Sequence, residues 1–123
     1  AVLKDGNILA NVTASQHIHT KYGGVVPELA SRDHEKKLMS VYKEALSIAQ
    51  VQQTELDAIA FTQGPGLLGS LLVGTSFAKS LSLGLGKPLI AVNHLQAHVA
   101  ALYINNPKPI FPFLCLCILA NRI

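Results

Sequence analysis

Leu56-Asp-Ala-Ile-Ala-Phe-Thr62 is a short apolar run, followed by Gln63-Gly64-Pro65-Gly66 and then by a long stretch of small and apolar residues from Leu67 to Leu85. A run of this length closed by turn residues reads as a buried strand. The Gly-Pro-Gly step breaks it, and residues 67–85 predict a helix buried on several sides, ended by Gly84-Leu-Gly-Lys-Pro88. The same order follows again. Residues 89–92 read as a second short buried strand, and Asn93 is a good N-cap for a helix running to about Ile104. Strands that each lead into a helix predict an α/β layer with a mostly parallel sheet.

Working outward, residues 27–49 form a long amphipathic stretch opened by Pro27, which suits the first turn of a helix because its missing N–H costs nothing there. Leu38, Val41, Tyr42, Ala45, Leu46 and Ala49 recur at three- and four-residue steps, giving one buried face. Arg32, Asp33, Glu35, Lys36 and Lys37 read as a solvated face. At the N-terminus, Asp5-Gly6-Asn7 predicts a tight turn between residues 1–4 and strand-like residues 8–15, an antiparallel hairpin. Residues 16–26 and 105–109 read as loops, and residues 110–119 as a last strongly apolar strand.

The chain has 123 residues, 50% apolar and 14% charged, a balance that excludes a disordered tail. That length suffices for a core without staples. No run of about 18 or more apolar residues appears, so no transmembrane helix is expected, and the sequence carries no targeting peptide. Two cysteines, Cys115 and Cys117, exclude a disulfide scaffold and read as strand thiols in a reducing compartment. The net charge of +3 is compatible with an anionic partner such as RNA without requiring one. The basic residues are scattered rather than gathered in a stripe. The chain starts in strand-like sequence and stops after its most apolar run; such ends are unlike ordinary domain boundaries, and the expectation is a fragment.

Three segments could carry chemistry. In Asn93-His94-Leu95-Gln96-Ala97-His98, two histidines four apart share a helix face, so both imidazoles can reach one metal ion. The competing reading is two unrelated histidines on a half-buried helix. Two ligands are too few, so a third must come from elsewhere. A zinc peptidase helix would carry Glu after the first His as general base; Leu95 stands there, and Gln96 cannot accept a proton. Gly64, Pro65 and Gly66 leave bare backbone N–H groups at a helix start, suited to a phosphate or carboxylate. The turn lacks the P-loop ending and the dinucleotide pattern, and a tight β-to-α turn explains it equally well. The third segment, His17-Ile-His19-Thr-Lys-Tyr-Gly-Gly-Val-Val-Pro-Glu28, could line a site, while Glu28 at a helix start is equally explained by the helix dipole.

Taken together, residues 19–34, 61–74 and 92–98 closely resemble the tRNA threonylcarbamoyladenosine transferase family (TsaD in bacteria), once described as O-sialoglycoprotein endopeptidases. The resemblance runs to about residue 117. It implies part of the N-terminal lobe of an actin-like, sugar-kinase-like fold, its first strand and second lobe absent. It implies that His94 and His98 bind one divalent metal, iron or zinc, completed in the family by an Asp from far downstream. It implies transfer of the threonylcarbamoyl group of threonylcarbamoyl-AMP to the exocyclic amine of the adenosine beside the anticodon, in tRNAs reading codons that begin with A. Gly64, Pro65 and Gly66 would shape the cleft, with His19 and Glu28 as further candidates. The implied partners are tRNA, a TsaB-like paralogue and a TsaE-like ATPase, in the cytoplasm and away from membranes.

The departures lie at the ends. The family begins with a strand ending in a Ser-Cys-Asp-type turn, which would precede Ala1. Its last strand here would run on into Ser-Gly-Gly-His-Thr, where this chain reads Cys117-Ile-Leu-Ala-Asn-Arg-Ile123, as a frameshift near Leu116 would produce. The chain alone is expected to be inactive. The alternatives are a non-catalytic dimerisation or scaffold module, a phosphotransferase of the sugar-kinase superfamily, disfavoured because no Asp-bearing catalytic strand is visible, and a zinc metallopeptidase.

Overall fold

A computed structural model of the chain describes residues 1–14, 26–104 and 110–116. The two loops expected over 16–26 and 105–109 lie almost wholly outside these residues, as do His19, Cys117 and the end of the expected last strand.

β1 (Val2–Lys4) and β2 (Asn7–Ala10) form the antiparallel hairpin. Asp5 and Gly6 both adopt positive φ, 50° and 78°, the pair of left-handed residues that a two-residue hairpin turn requires. The second strand is shorter than expected: it ends at Ala10, and residues 11–14 pair with nothing regular.

α1 (Pro27–Ala49) matches the sequence reading at both ends. Pro27 sits in the first turn, and Gln50 closes the helix in the left-handed region at φ 54°. Ala45 packs with Val2 and Ala10 of the hairpin, and Val12, Leu46, Ala49 and Val51 surround them. One residue of the expected solvated face is buried instead. Asp33 is 8% exposed, with Lys37 Nζ 2.8 Å from its Oδ2. Asp33 falls on the same three- and four-residue stripe as Ala30 and Ala45, so the helix period turns it inward.

A short 3-10 turn (Gln53–Glu55) leads to β3 (Ile59–Gly64), α2 (Leu68–Leu85), β4 (Leu89–Asn93), α3 (His94–Ala100) and a second 3-10 turn (Ala101–Tyr103). β3 and β4 pair in parallel, Ile59 opposite Leu89, and α2 is the crossover between them. Gly86 ends α2 at φ 63°, its N–H reaching Leu83 O while Lys87 N–H reaches Ser82 O, the usual left-handed helix stop. α2 packs on α1 through the Tyr42–Phe77 edge-to-face pair, with ring centroids 5.7 Å apart. On its other side Leu71 lies against Gly64 and Gly66.

Several further expectations need correction. The strands form two separate two-stranded sheets, one antiparallel and one parallel, rather than one mixed sheet. β4 has no fully buried residue and β3 buries only Ile59; among the described residues α2 is the main element packed on the pair. α2 is likewise not buried on several sides: Ala78 is its one buried residue, and Leu83 is 86% exposed. α2 is also long and apolar enough to cross a membrane by length and composition, although Gly69-Ser70, Gly74-Thr75-Ser76 and Lys79-Ser80 interrupt its apolar run. Finally, residues 110–116 are not a strand. Among the described residues no ladder partner reaches them, Pro112 removes a donor, and Leu114 is 97% exposed.

Candidate metal centre

The carboxyl ends of β3 and β4 lie side by side. Thr62 faces Val92 and Gly64 faces Asn93, so Gln63 is an extra residue, a bulge at the last step of the ladder. Gly64 takes φ 152°, a conformation a side chain would strain. The bulge turns the chain out of the sheet and into Pro65 and Gly66, beneath which Leu71 packs. The glycine turn and the start of α3 thereby share the crevice at the carboxyl ends of parallel strands, the usual place for a ligand in α/β structures.

Asn93 is both the last residue of β4 and the N-cap of α3. Its Oδ1 accepts from Leu95 N–H at 2.9 Å and Gln96 N–H at 3.2 Å. His94 is the first helical residue and half-buried; His98, one turn later, is exposed. Their Nε2 atoms are 3.2 Å apart, with ring centroids 4.7 Å apart and ring planes at 83°. Two nitrogens so placed subtend about 100° at an ion ~2.0–2.1 Å from each, near the tetrahedral angle. The donor set therefore fits a transition metal such as zinc or iron. Among the described residues no cluster of three or more His, Cys, Asp or Glu could hold an ion, so the pair is an incomplete shell.

The structure thus sets Gly64 opposite Asn93, the residue before His94, with Pro65 and Gly66 following it in the turn. Glu28 stands in the first turn of α1, exposed, its Oε1 2.7 Å from Arg32 Nη2, the solvated ion pair that an (i, i+4) spacing allows. Ser31, one turn further along α1, meets Gly69 at the start of α2. His19 lies outside the described residues. The bulge at Gln63 and the close fit of Ser31 on Gly69 were missed by sequence reasoning; the string of glycines after a strand was the available signal for both.

The model of one protein family, TsaD, tRNA N6-adenosine threonylcarbamoyltransferase, matches residues 7–122. Proteins of that name from Riemerella anatipestifer, Christiangramia forsetii and Porphyromonas gingivalis are 58%, 56% and 56% identical to this chain over 96% of its length. The chain spans 36% of the length of each of these relatives. A match over nearly all of its residues places this chain in the tRNA N6-adenosine threonylcarbamoyltransferase family.

Proposed function

We propose that this chain supplies part of the catalytic subunit of a tRNA threonylcarbamoyltransferase, a lobe of actin-like, sugar-kinase-like fold. Membership of the family over residues 7–122 carries the reading. The reaction would join the exocyclic amine of the adenosine beside the anticodon to the carbonyl carbon of threonylcarbamoyl-AMP. One C–N bond forms, the C–O bond to the phosphate breaks, and AMP and a proton leave. Such an activated carbonyl requires positioning and charge stabilisation more than a nucleophilic side chain, in line with the lack of a Ser/His/Asp or Cys/His arrangement in the sequence.

His94 and His98 would hold one divalent ion, iron or zinc. Bound there, the ion supplies positive charge to carbonyl and phosphate oxygens. The exposed edge of His98 leaves the site open to a large substrate. Gly64 and Gly66, without side chains, leave room for an adenylate beside it. The packing of α2 on α1 and β3 supports reading α2 as a helix of the folded lobe rather than a membrane span. In the whole protein the partners would be tRNA, a TsaB-like paralogue and a TsaE-like ATPase, in the cytoplasm.

Metal analysis of the purified chain beside His94→Ala and His98→Ala tests the site. With Zn²⁺ or Fe²⁺ added in excess, the wild-type chain should take up metal that neither variant takes up. Equal stoichiometry in all three would remove the metal from the proposal.

A further inference from the structure

We infer that Asn93 is the positioning residue of the His94–His98 pair. Its backbone closes the β3–β4 ladder opposite Gly64, and its side chain caps the helix that carries both imidazoles. For the metal, the inference rests on the reading given above; for the geometry, it stands on the chain alone.

α3 has seven residues and none of them is buried. A helix this short is not self-supporting, and tertiary packing holds it weakly. Its first turn is instead held by the two hydrogen bonds to Asn93 Oδ1. They fix the backbone at Leu95 and Gln96, two of the three residues between the histidines. The (i, i+4) relation that brings Nε2 to Nε2 at 3.2 Å exists only while that turn is wound. Asn93 is itself fixed by its pairing with Gly64, so one residue ties the glycine turn to the histidine helix.

An Ala at the N-cap weakens a helix start by about fivefold in its folded-to-unfolded ratio, whereas Ser caps about as well as Asn. The test uses the 123-residue chain with Asn93→Ala, Asn93→Ser and His98→Ala. Magnetic cross-relaxation between the two imidazole rings is measured without metal, and Zn²⁺ affinity is then measured by titration. Asn93→Ala should lose the ring-to-ring signal and bind Zn²⁺ about fivefold more weakly, with the resonances of α1 unmoved; Asn93→Ser should restore both. An Asn93→Ala chain with the ring-to-ring signal intact, or a wild-type chain that never shows it, overturns the inference. A wild-type chain that shows the signal yet binds Zn²⁺ no better than His98→Ala removes the metal reading alone, and the role of Asn93 is then decided on the ring-to-ring signal.

Discussion

Gly69, near the start of α2, lies so close to Ser31 of α1 that a Cβ added to it would overlap the Ser31 hydroxyl and stand 3.4 Å from the Ser31 Cβ. The hydroxyl is engaged, donating to Pro27 O at 2.9 Å. Gly69→Ala must rotate it away and break that bond, while gaining some helix propensity. A double-mutant cycle with Ser31→Ala separates the two effects. In urea unfolding, Gly69→Ala should be more favourable by about 1 kcal/mol in the Ser31→Ala background than in the wild type. Gly69→Val, whose branch no hydroxyl rotation can relieve, should cost about 1–3 kcal/mol in either background. Equal effects of Gly69→Ala in both backgrounds would show that the helices do not meet here.

Gln50 closes α1 with φ 54° and ψ 39°, its N–H directed at Leu46 O and Ser47 O. A non-glycine residue adopts this conformation at a cost that glycine does not incur. Gln50→Gly should therefore raise the stability of the chain by roughly 0.5–1 kcal/mol, and Gln50→Val should lower it. Thermal unfolding of the two variants checks the ranking, and a destabilised Gln50→Gly would contradict the helix stop.

Tyr42 presents its ring edge-to-face to Phe77, while its hydroxyl is buried without a hydrogen-bond partner among the described residues. Burial raises the phenol above its ordinary value of 10.0. In the unfolded chain the phenol ionises at its ordinary value, so above that pH the unfolded state is favoured first. The contribution of Tyr42 is complete below 10.0 and is lost as pH rises through the raised value. Tyr42→Phe should be neutral or stabilising by up to about 1 kcal/mol at pH 7, since it removes an unpaired buried hydroxyl. It should also flatten the loss of stability above pH 10.0. A steeper alkaline loss in the variant would contradict this account.

Local signals made the helices and turns legible. Pro27 opened α1 and its apolar steps ran to Ala49; Asp5-Gly6 announced the hairpin; Asn93 announced the start of α3. The histidine pair was legible as a spacing, because (i, i+4) residues share a helix face. The separation of its nitrogens was not, since it depends on rotamers and on a capped first turn. Burial was legible only as a direction. The period of α1 turns Asp33 inward, yet its charge among other charges hid that, and no pattern says how many layers will cover a strand. Residues 110–116 show the same gap. Their composition favours a strand, but a strand is a relation between two segments, and among the described residues no second segment pairs with this one.

The transfer reaction itself sets the last prediction. A catalytic zinc site ordinarily takes three protein ligands and keeps one position open. His94 and His98 would supply two, and the described residues offer no third. The chain also corresponds to 36% of the length of the relative from Christiangramia forsetii, and under the proposed function the rest of the surface for an adenylate and an anticodon loop would come from sequence outside it. The 123-residue chain, given threonylcarbamoyl-AMP and unmodified tRNA, should therefore transfer no label to the tRNA, with or without added Zn²⁺ or Fe²⁺. When the same residues are part of a polypeptide of the relatives' full length, transfer should appear. His94→Ala or His98→Ala in that context should then reduce it by at least the 10–100-fold that loss of even an outer-shell partner costs a metal site. Turnover by the short chain would mean that two histidines and the glycine turn suffice. Full activity of the histidine variants would mean that the pair is not part of the site.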